Sequence, residues 1–302
     1  MRRVMLIVNP RSGSASARTT EVIAKALAAD FKLERADTTA RLHAAELAAD
    51  AVDRGFDAVI AFGGDGTVNE AAQALVGSEV ALGILPGGTA NVMARSTGVP
   101  QDPIAATAFV SAHLRSGTRR RIPVGQIEDR YFLFSAGMGL DAEVVRRTEE
   151  HPEGKRKWRE WSFLAKALNA AFTQYRGAEP QITLQVSGEE PQRLLLAICC
   201  NARPLTYFKR WPVDACPLAR LDGGLDIFGM KKVRTLTIPR IAWGVLVSRN
   251  HIKWRSGHYL HDIEGARLTA DQPMPVQVDG DYLGQWTDAE ITLLPRALDL
   301  LV

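Results

Sequence analysis

Residues 58–69 read Ala58-Val59-Ile60-Ala61-Phe62-Gly63-Gly64-Asp65-Gly66-Thr67-Val68-Asn69. Five apolar residues run straight into a glycine turn, and a helical pattern over 68–76 follows. A short apolar run bounded by glycine is the pattern of a buried strand, so the stretch predicts strand, turn and helix start in succession. Glycines let the backbone take conformations closed to other residues and let a ligand come close. The N–H groups of such a turn and the positive end of the helix dipole face one point, which suits an anion and a phosphate best. Asp65 is the odd member, because a carboxylate repels phosphate. A Mg²⁺ ion between the two, or a water that Asp65 orders on such an ion, reconciles them.

Outward from that stretch, residues 1–118 alternate apolar segments with amphipathic ones. Strands are expected at 4–8, 31–36, 58–62 and 80–85, and helices at 17–29, 40–54 and 68–75. In the second helix Leu42, Ala45, Ala49 and Val52 share one face. Such alternation predicts an α/β N-terminal domain with a doubly wound, mostly parallel sheet. Ligands of these sheets collect at the carboxyl ends of the strands, and every polar turn falls at such an end. They are Asn9-Pro10-Arg11-Ser12-Gly13-Ser14, Asp37-Thr38-Thr39, the Gly63 turn, and Pro86-Gly87-Gly88-Thr89-Ala90-Asn91. Thr38 and Thr89 each either contact a nucleotide or cap the helix that follows.

The pattern changes near Thr118-Arg119-Arg120-Arg121. Short strand-like segments dominate 119–294 (121–127, 131–135, 181–186, 193–200, 225–230, 266–270, 276–278 and 291–294), which reads as an antiparallel second domain. Helical patterns interrupt it at 156–175 and 236–247, and 295–302 is expected to return to the first domain. Two acidic turns stand out. In Arg220-Leu221-Asp222-Gly223-Gly224-Leu225-Asp226, Asp222 and a nearby carbonyl, that of Leu225, would hold Mg²⁺; an Asp-Gly hairpin turn reads equally well. In Val278-Asp279-Gly280-Asp281, two carboxylates flank a glycine: one as base for a hydroxyl nucleophile and the other as its partner, or else a polar hairpin tip. Asp141, after Gly137-Met138-Gly139-Leu140, most simply caps the next helix.

Composition narrows the class. The chain has 302 residues, 46% hydrophobic and 24% charged, with a net charge of +3 that does not point to nucleic acid. No apolar run approaches the roughly 18 residues that cross a bilayer. Met1-Arg2-Arg3 and the apolar 4–8 run are too short for a secretory signal and read as a first strand. Cys199, Cys200 and Cys216 lack metal-ligand spacing, as expected of reduced cysteines in a cytoplasmic protein. Lys155-Arg156-Lys157-Trp158-Arg159-Glu160-Trp161 and Arg203-Pro204-Leu205-Thr206-Tyr207-Phe208-Lys209-Arg210-Trp211 mix tryptophan with positive charge. That mixture suits an anionic membrane surface. The stripe Trp158, Trp161, Ala165, Leu168, Phe172 and Tyr175 reads equally as core.

Gly63-Gly64-Asp65-Gly66-Thr67-Val68-Asn69-Glu70 resembles the GGDGTxNE signature of the diacylglycerol kinase catalytic domain, a family that includes bacterial soluble lipid kinases and sphingosine kinases. The turn alone is similar to that of NAD kinases. The resemblance extends to Asn9-Pro10 with Ser12-Gly13, to the PxGTxNxxAR element from Pro86 to Arg95, to 137–144, to the Asp222–Asp226 turn, and to Asp279-Gly280-Asp281 where the family has Asp-Gly-Glu. It implies ATP-dependent, Mg²⁺-assisted phosphorylation of a lipid hydroxyl such as that of diacylglycerol. It also implies an α/β nucleotide domain followed by an antiparallel β-sandwich C-terminal domain for the lipid acceptor, with the active site in the cleft between. ATP would be held by Asn9, Thr38, Gly63, Gly64, Asp65, Gly66, Thr67, Val68, Asn69, Gly88 and Thr89. Asp281 matches the family's catalytic acidic residue, with Asp279 beside it. Asp65 would work with the catalytic magnesium, and Asp222 with Leu225 resembles an accessory metal site.

Three positions depart from the pattern: Val92 where many members carry Asp, Gly223 where the turn's second Asp would stand, and Tyr207-Phe208-Lys209 in place of a glycine cluster. They mark a divergent subgroup with its own acceptor, and Val92 and Gly223 also suit a nucleotide- or lipid-binding protein with impaired catalysis; a kinase of a soluble acceptor such as NAD is a further alternative, against which the tryptophan–basic patches argue. The expected partner is a lipid substrate met by peripheral contact at the inner membrane surface; nucleic acid is not expected, and a homodimer is left open.

Overall fold

The computed structural model describes residues 1–150, 178–208, 211–233 and 238–302. They form two compact units, Met1–Val124 with Leu294–Val302, and Gly125–Leu293. The helical pattern expected at 156–175, and Lys209 and Arg210, lie outside the described residues.

The first unit alternates β1 (Arg3–Val8), α1 (Ala17–Asp30), β2 (Lys32–Asp37), α2 (His43–Asp53), β3 (Ala58–Gly63), α3 (Asp65–Leu75), β4 (Ala81–Pro86), α4 (Val92–Ser96) and α5 (Pro103–Ser116). The four strands pair in parallel in the order β2-β1-β3-β4. Strands β3 and β4 are buried at every residue, as a parallel sheet covered on both faces requires. Edge strand β2 is largely exposed. The chain passes from β1 outward to β2 and then back to β3, so the direction of winding reverses between β1 and β3. Ligands of open α/β sheets bind at the carboxyl ends of the two strands flanking such a reversal. Those ends are Val8 and Gly63.

Two helices differ from expectation. Helix α2 begins at His43, with Leu42 at φ 65° as an N-cap without a side-chain bond. The N–H of Thr39 donates to His43 Nδ1 over 3.1 Å, so neither Thr38 nor Ala40 starts the helix. Helix α5 was not expected, although its ends are signalled. Asp102 Oδ1 accepts from Ala105 N (2.9 Å), Pro103 takes the first turn, and Gly117 closes the other end at φ 77°.

The second unit is antiparallel. It holds β6 (Arg130–Phe132), β7 (Ser135–Gly139), α6 (Leu140–Glu150), β8 (Ile182–Gln185), β9 (Gln192–Leu194), β10 (Leu196–Cys200), the separate hairpin β11 (Thr206–Phe208) and β12 (Trp211–Val213), β13 (Leu225–Met230), α7 (Ile238–Trp243), β14 (Gly257–Ile263) and β15 (Gly265–Val278). β5 (Arg120–Ile127) crosses the boundary between the units, and its last residues pair with β6. One path runs β14-β13-β10-β7-β15. The segments expected separately at 266–270 and 276–278 are one strand, β15. Residues 267–270 of β15 pair with β8 and its last three with β7. Between them Pro273 and Pro275 lack a ladder N–H, and the register against β16 (Asp281–Leu300) shifts from Thr269 to Met274. One strand thus pairs with β8 along one part and with β7 along another. The core of this unit includes Phe132, Leu184, Ile198, Phe228 and Val276.

The end of β16 belongs to the first unit. Leu300 pairs in parallel with Leu82, and Leu301 N donates to Leu82 O over 2.9 Å. Leu298 and Leu300 are fully buried. The nearly buried carboxylate of Asp299 meets Arg119 at 3.3 Å and Arg121 at 3.7 Å. Leu298→Ala removes core volume from that attachment and should destabilise it by about 2–5 kcal/mol. Hydrogen exchange of the β4 amides should speed up accordingly; unchanged protection would show that the returning strand does not hold the unit.

Candidate active site

The helix after the glycine turn starts earlier than the apolar periodicity suggests. Gly64 is its N-cap and Asp65 its first residue, so Gly66 and Thr67 lie in the first turn. First-turn positions carry no core-facing period, but their N–H groups have no preceding carbonyl to bond. A side chain on Gly63 would collide with that of Thr67. Asn9 N donates to Phe62 O (2.9 Å) and Asn9 Nδ2 to Thr67 Oγ1 (3.1 Å), joining the tips of β1 and β3.

The second glycine turn packs directly on the first. Gly87 N donates to Gly63 O over 2.7 Å. A Cβ on Gly88 would lie 2.8 Å from Gly64 Cα, and one on Gly87 would lie 2.7 Å from Ser12 Oγ and 3.1 Å from Gly63 Cα. Ser14 N donates to Gly87 O over 3.1 Å, which brings in the loop after β1. Asn91, at φ 45°, holds the turn: its Oδ1 accepts from Gly88 N (2.8 Å) and its Nδ2 donates to Gly88 O (3.1 Å). Thr89 is exposed and caps nothing. Ser12 Oγ is buried at this rim without a hydrogen-bond partner.

Asp65 stands at the start of two helices, its own α3 and α4. Its Oδ1 accepts from Met93 N over 3.3 Å. Burial pushes its pKa up from the ordinary carboxylate value, and the N–H groups of Met93, Val92 and Asn91 pull against that. Asn9, Gly63, Gly64, Asp65, Gly66, Thr67 and Gly88 therefore gather at one rim. Thr38 sits on the next strand tip, its N–H donating to Val8 O over 2.8 Å. Val68 and Asn69 are buried, and Asn69 Oδ1 accepts from Gln73 Nε2 over 3.0 Å.

In the second unit Asp279 and Gly280, at φ 48° and 87°, form the two-residue tip of the β15–β16 hairpin. The Asp279 carboxylate accepts three backbone N–H bonds, from Leu133 (2.7 Å), Phe134 (2.9 Å) and Ser135 (2.9 Å). Asp281 opens β16 and is partly exposed. Gln277 braces the tip: its Oε1 accepts from Gly280 N (2.9 Å) and its Nε2 donates to Asp141 Oδ2 (3.0 Å). Asp141 lies inside the first turn of α6, which starts at Leu140, and so does not cap it. Its Oδ1 is buried and unpartnered, and burial pushes its pKa up to about 6. Asp141 and Gln277 were missed as site residues. One signal was Gly137, where any side chain would run into Asp141.

Asp222 is exposed in a turn closed by Gly223 N to Arg220 O (3.0 Å) and Gly224 N to Asp262 Oδ1 (2.6 Å), and Leu225 opens β13. Among the described residues no three His, Cys, Asp or Glu side chains gather as metal ligands.

The diacylglycerol kinase catalytic domain model matches residues 3–127. A diacylglycerol kinase of Mycobacterium tuberculosis (strain CDC 1551 / Oshkosh) is 31% identical, over 85% of this chain and 81% of its own. That of Bacillus subtilis (strain 168) is 26% identical over 94% and 91%. The chain belongs to the diacylglycerol kinase catalytic domain family. A solved diacylglycerol kinase from Bacillus anthracis str. Sterne shares the fold, with TM-score 0.75 at 23% identity over 99% of this chain and 96% of that one. As a member of a kinase family, the protein takes a nucleotide as phosphoryl donor. The residues present fit a nucleotide: a cradle with no room for a Cβ, first-turn N–H groups, and the orphaned Ser12 hydroxyl. Asp65 fits a Mg²⁺ ion held by one carboxylate together with phosphate oxygens. A Mg²⁺ at Asp222 would take most of its six ligands from water.

Gly88→Ala forces two backbones apart and should cost about 1–3 kcal/mol in chemical denaturation; an unaltered midpoint would mean the turns are not in contact. Asp141 supplies a pH test. Its pKa rises from 3.8 to about 6 on folding, so the folded chain keeps a proton that the unfolded chain releases in between. Relative to Asp141→Asn, stability should fall by about 2–3 kcal/mol as pH rises through that window and level off above it, at 1.36 kcal/mol per pKa unit. A flat difference from pH 4 to 7 would refute the shift.

Proposed function

We propose that the protein is an ATP-dependent lipid kinase that transfers the γ-phosphate to the hydroxyl of a lipid such as diacylglycerol. The observation that carries this is the contact between the two glycine turns. It leaves the amides of 64–67, the Ser12 hydroxyl and Asp65 around one rim at the β1/β3 reversal. The names of the relatives support a lipid as acceptor.

In this reading Asn9, Thr38, Gly63, Gly64, Gly66, Thr67, Gly88 and Thr89 line the nucleotide, while Val68 and Asn69 support them from beneath. Mg²⁺, when bound at Asp65, offsets charge on the transferring phosphoryl group. Asp279 holds three backbone amides, and Asp281, which matches the family's catalytic acidic residue, is the base. Asp281 takes the proton as the lipid oxygen bonds to phosphorus and the bond to the ADP oxygen breaks. Positioning supplies much of the acceleration. No step runs through Asp222 or Leu225. The acceptor implies peripheral work at the inner face of the cell membrane, and no described helix is long and apolar enough to cross a membrane.

Asp281→Asn should lower kcat with labelled ATP and dispersed diacylglycerol by about 10²–10⁴-fold, the usual contribution of a general base, with the fold intact by circular dichroism. Asp65→Asn should lose activity comparably and lose its dependence on added Mg²⁺. Wild-type turnover in either variant refutes the role assigned to that residue. ATP binding by calorimetry without product from any lipid would favour a binding protein instead.

A further inference from the structure

Among the described residues the second unit exposes four large apolar side chains: Trp211 (60%), Leu218 (47%), Trp243 (61%) and Val247 (44%). Trp211, Trp243 and Val247 belong to one assembly. Trp211 opens β12, Trp243 ends α7, and Val247 lies in the π-helical turn Gly244–Ser248 that continues α7. Asp214 N donates to Val245 O over 3.1 Å, tying the end of β12 to that turn. The buried Asp214 carboxylate takes Arg203 at 3.0 Å and Arg249 at 2.8 Å, clasping the chain on either side. Arg240, Trp243 and Val247 fall at i, i+3 and i+7, and all three are exposed, so they form one outward stripe. Behind it Gly244 is buried, with Trp254 in contact distance, and the Arg240 guanidinium lies 4.8 Å over the Trp254 ring.

Charge identifies what would cover this stripe. From Ile238 to His261 the sequence holds Arg240, Arg249, Lys253 and Arg255 and no Asp or Glu. Among the described residues the acids bonded to this stretch, Asp214 and Asp226, are both buried, and Asp214 is outweighed by its two arginines. Single exposed apolar residues are ordinary. Two exposed tryptophans beside a basic segment are the composition that settles at the headgroup level of a negatively charged bilayer. We infer that β12, α7 and the π turn form a docking surface for an anionic phospholipid membrane. The inference rests on the lipid-kinase reading for its purpose but not for its measurement.

The test is co-sedimentation, without nucleotide, with vesicles of phosphatidylglycerol and phosphatidylcholine or of phosphatidylcholine alone. Wild-type protein should partition onto the anionic vesicles and come off as salt rises. Trp211→Ser with Trp243→Ser should partition roughly tenfold more weakly, with turnover on short-chain, water-dispersed diacylglycerol unchanged. Arg240→Gln with Lys253→Gln should weaken binding at low salt by roughly fivefold or more, a second variant that leaves the tryptophans in place. Equal partitioning of wild type and both double variants overturns the proposal. So does a wild-type dimer in sedimentation velocity that the tryptophan substitutions dissociate, since a second copy would then cover the face. Vesicle binding by a protein that phosphorylates no lipid would uphold the surface and reject the kinase reading; turnover without vesicle binding would do the reverse.

Discussion

The approach of Gly88 to Gly64 is the constraint on which the first unit's chemistry depends. A Cβ on Gly88 would lie 2.8 Å from Gly64 Cα, so only glycine lets the two strand tips touch backbone to backbone. The contact is locked by Gly87 N to Gly63 O at 2.7 Å. It works because β3 and β4 are neighbouring parallel strands ending in register, Gly63 beside Pro86. Parallel pairing places both tips at the same edge, and the reversal between β1 and β3 keeps that edge free of crossing helices. Sheet topology, turn composition and phosphate affinity are thus one fact seen at three scales.

Backbone groups hold the acidic residues as well. Asp65 answers to amides of residues 91–93, and Asp279 to amides of 133–135. A carboxylate with three amide donors gains charge-assisted bonds of about twice the usual strength, and most of its acceptor sites are then taken. That separates the two carboxylates of Asp279-Gly280-Asp281, which the chain alone presents as equals. One fastens the hairpin to residues 133–135. The other, Asp281, lies on the far side of a left-handed glycine and opens β16, partly exposed.

What could be read from the sequence follows from how local the cause is. The strand–turn–helix alternation of the first unit was legible because each element carries its own period. The glycine turns were legible because glycine marks backbone approach. Thr89 misled, since its type suits a cap; the N-cap position falls to Asn91, which spends its side chain on Gly88 rather than on the helix. The start of α3 was placed late because helix periodicity begins only after the unpatterned first turn. Asp141 and Gln277 were invisible as a pair, being 136 residues apart in the chain and joined by one 3.0 Å bond. The continuity of β15 was hidden by Pro273 and Pro275, which lack the N–H a ladder needs and lie where the register against β16 shifts.

Val92 shows how far a departure in side chain need reach. Position 92 opens α4, and its N–H is one of those that serve the Asp65 carboxylate. That service depends on the backbone and survives any residue except proline. The side chain itself is buried, with 4% exposure, among the core contacts of the first unit. An Asp there would bring a second carboxylate beside Asp65, and the repulsion would raise the pKa of one of them unless a cation lay between. With Val92, Asp65 faces burial alone, balanced by amides. A metal bound at Asp65 would meet one carboxylate fewer here than where position 92 is Asp.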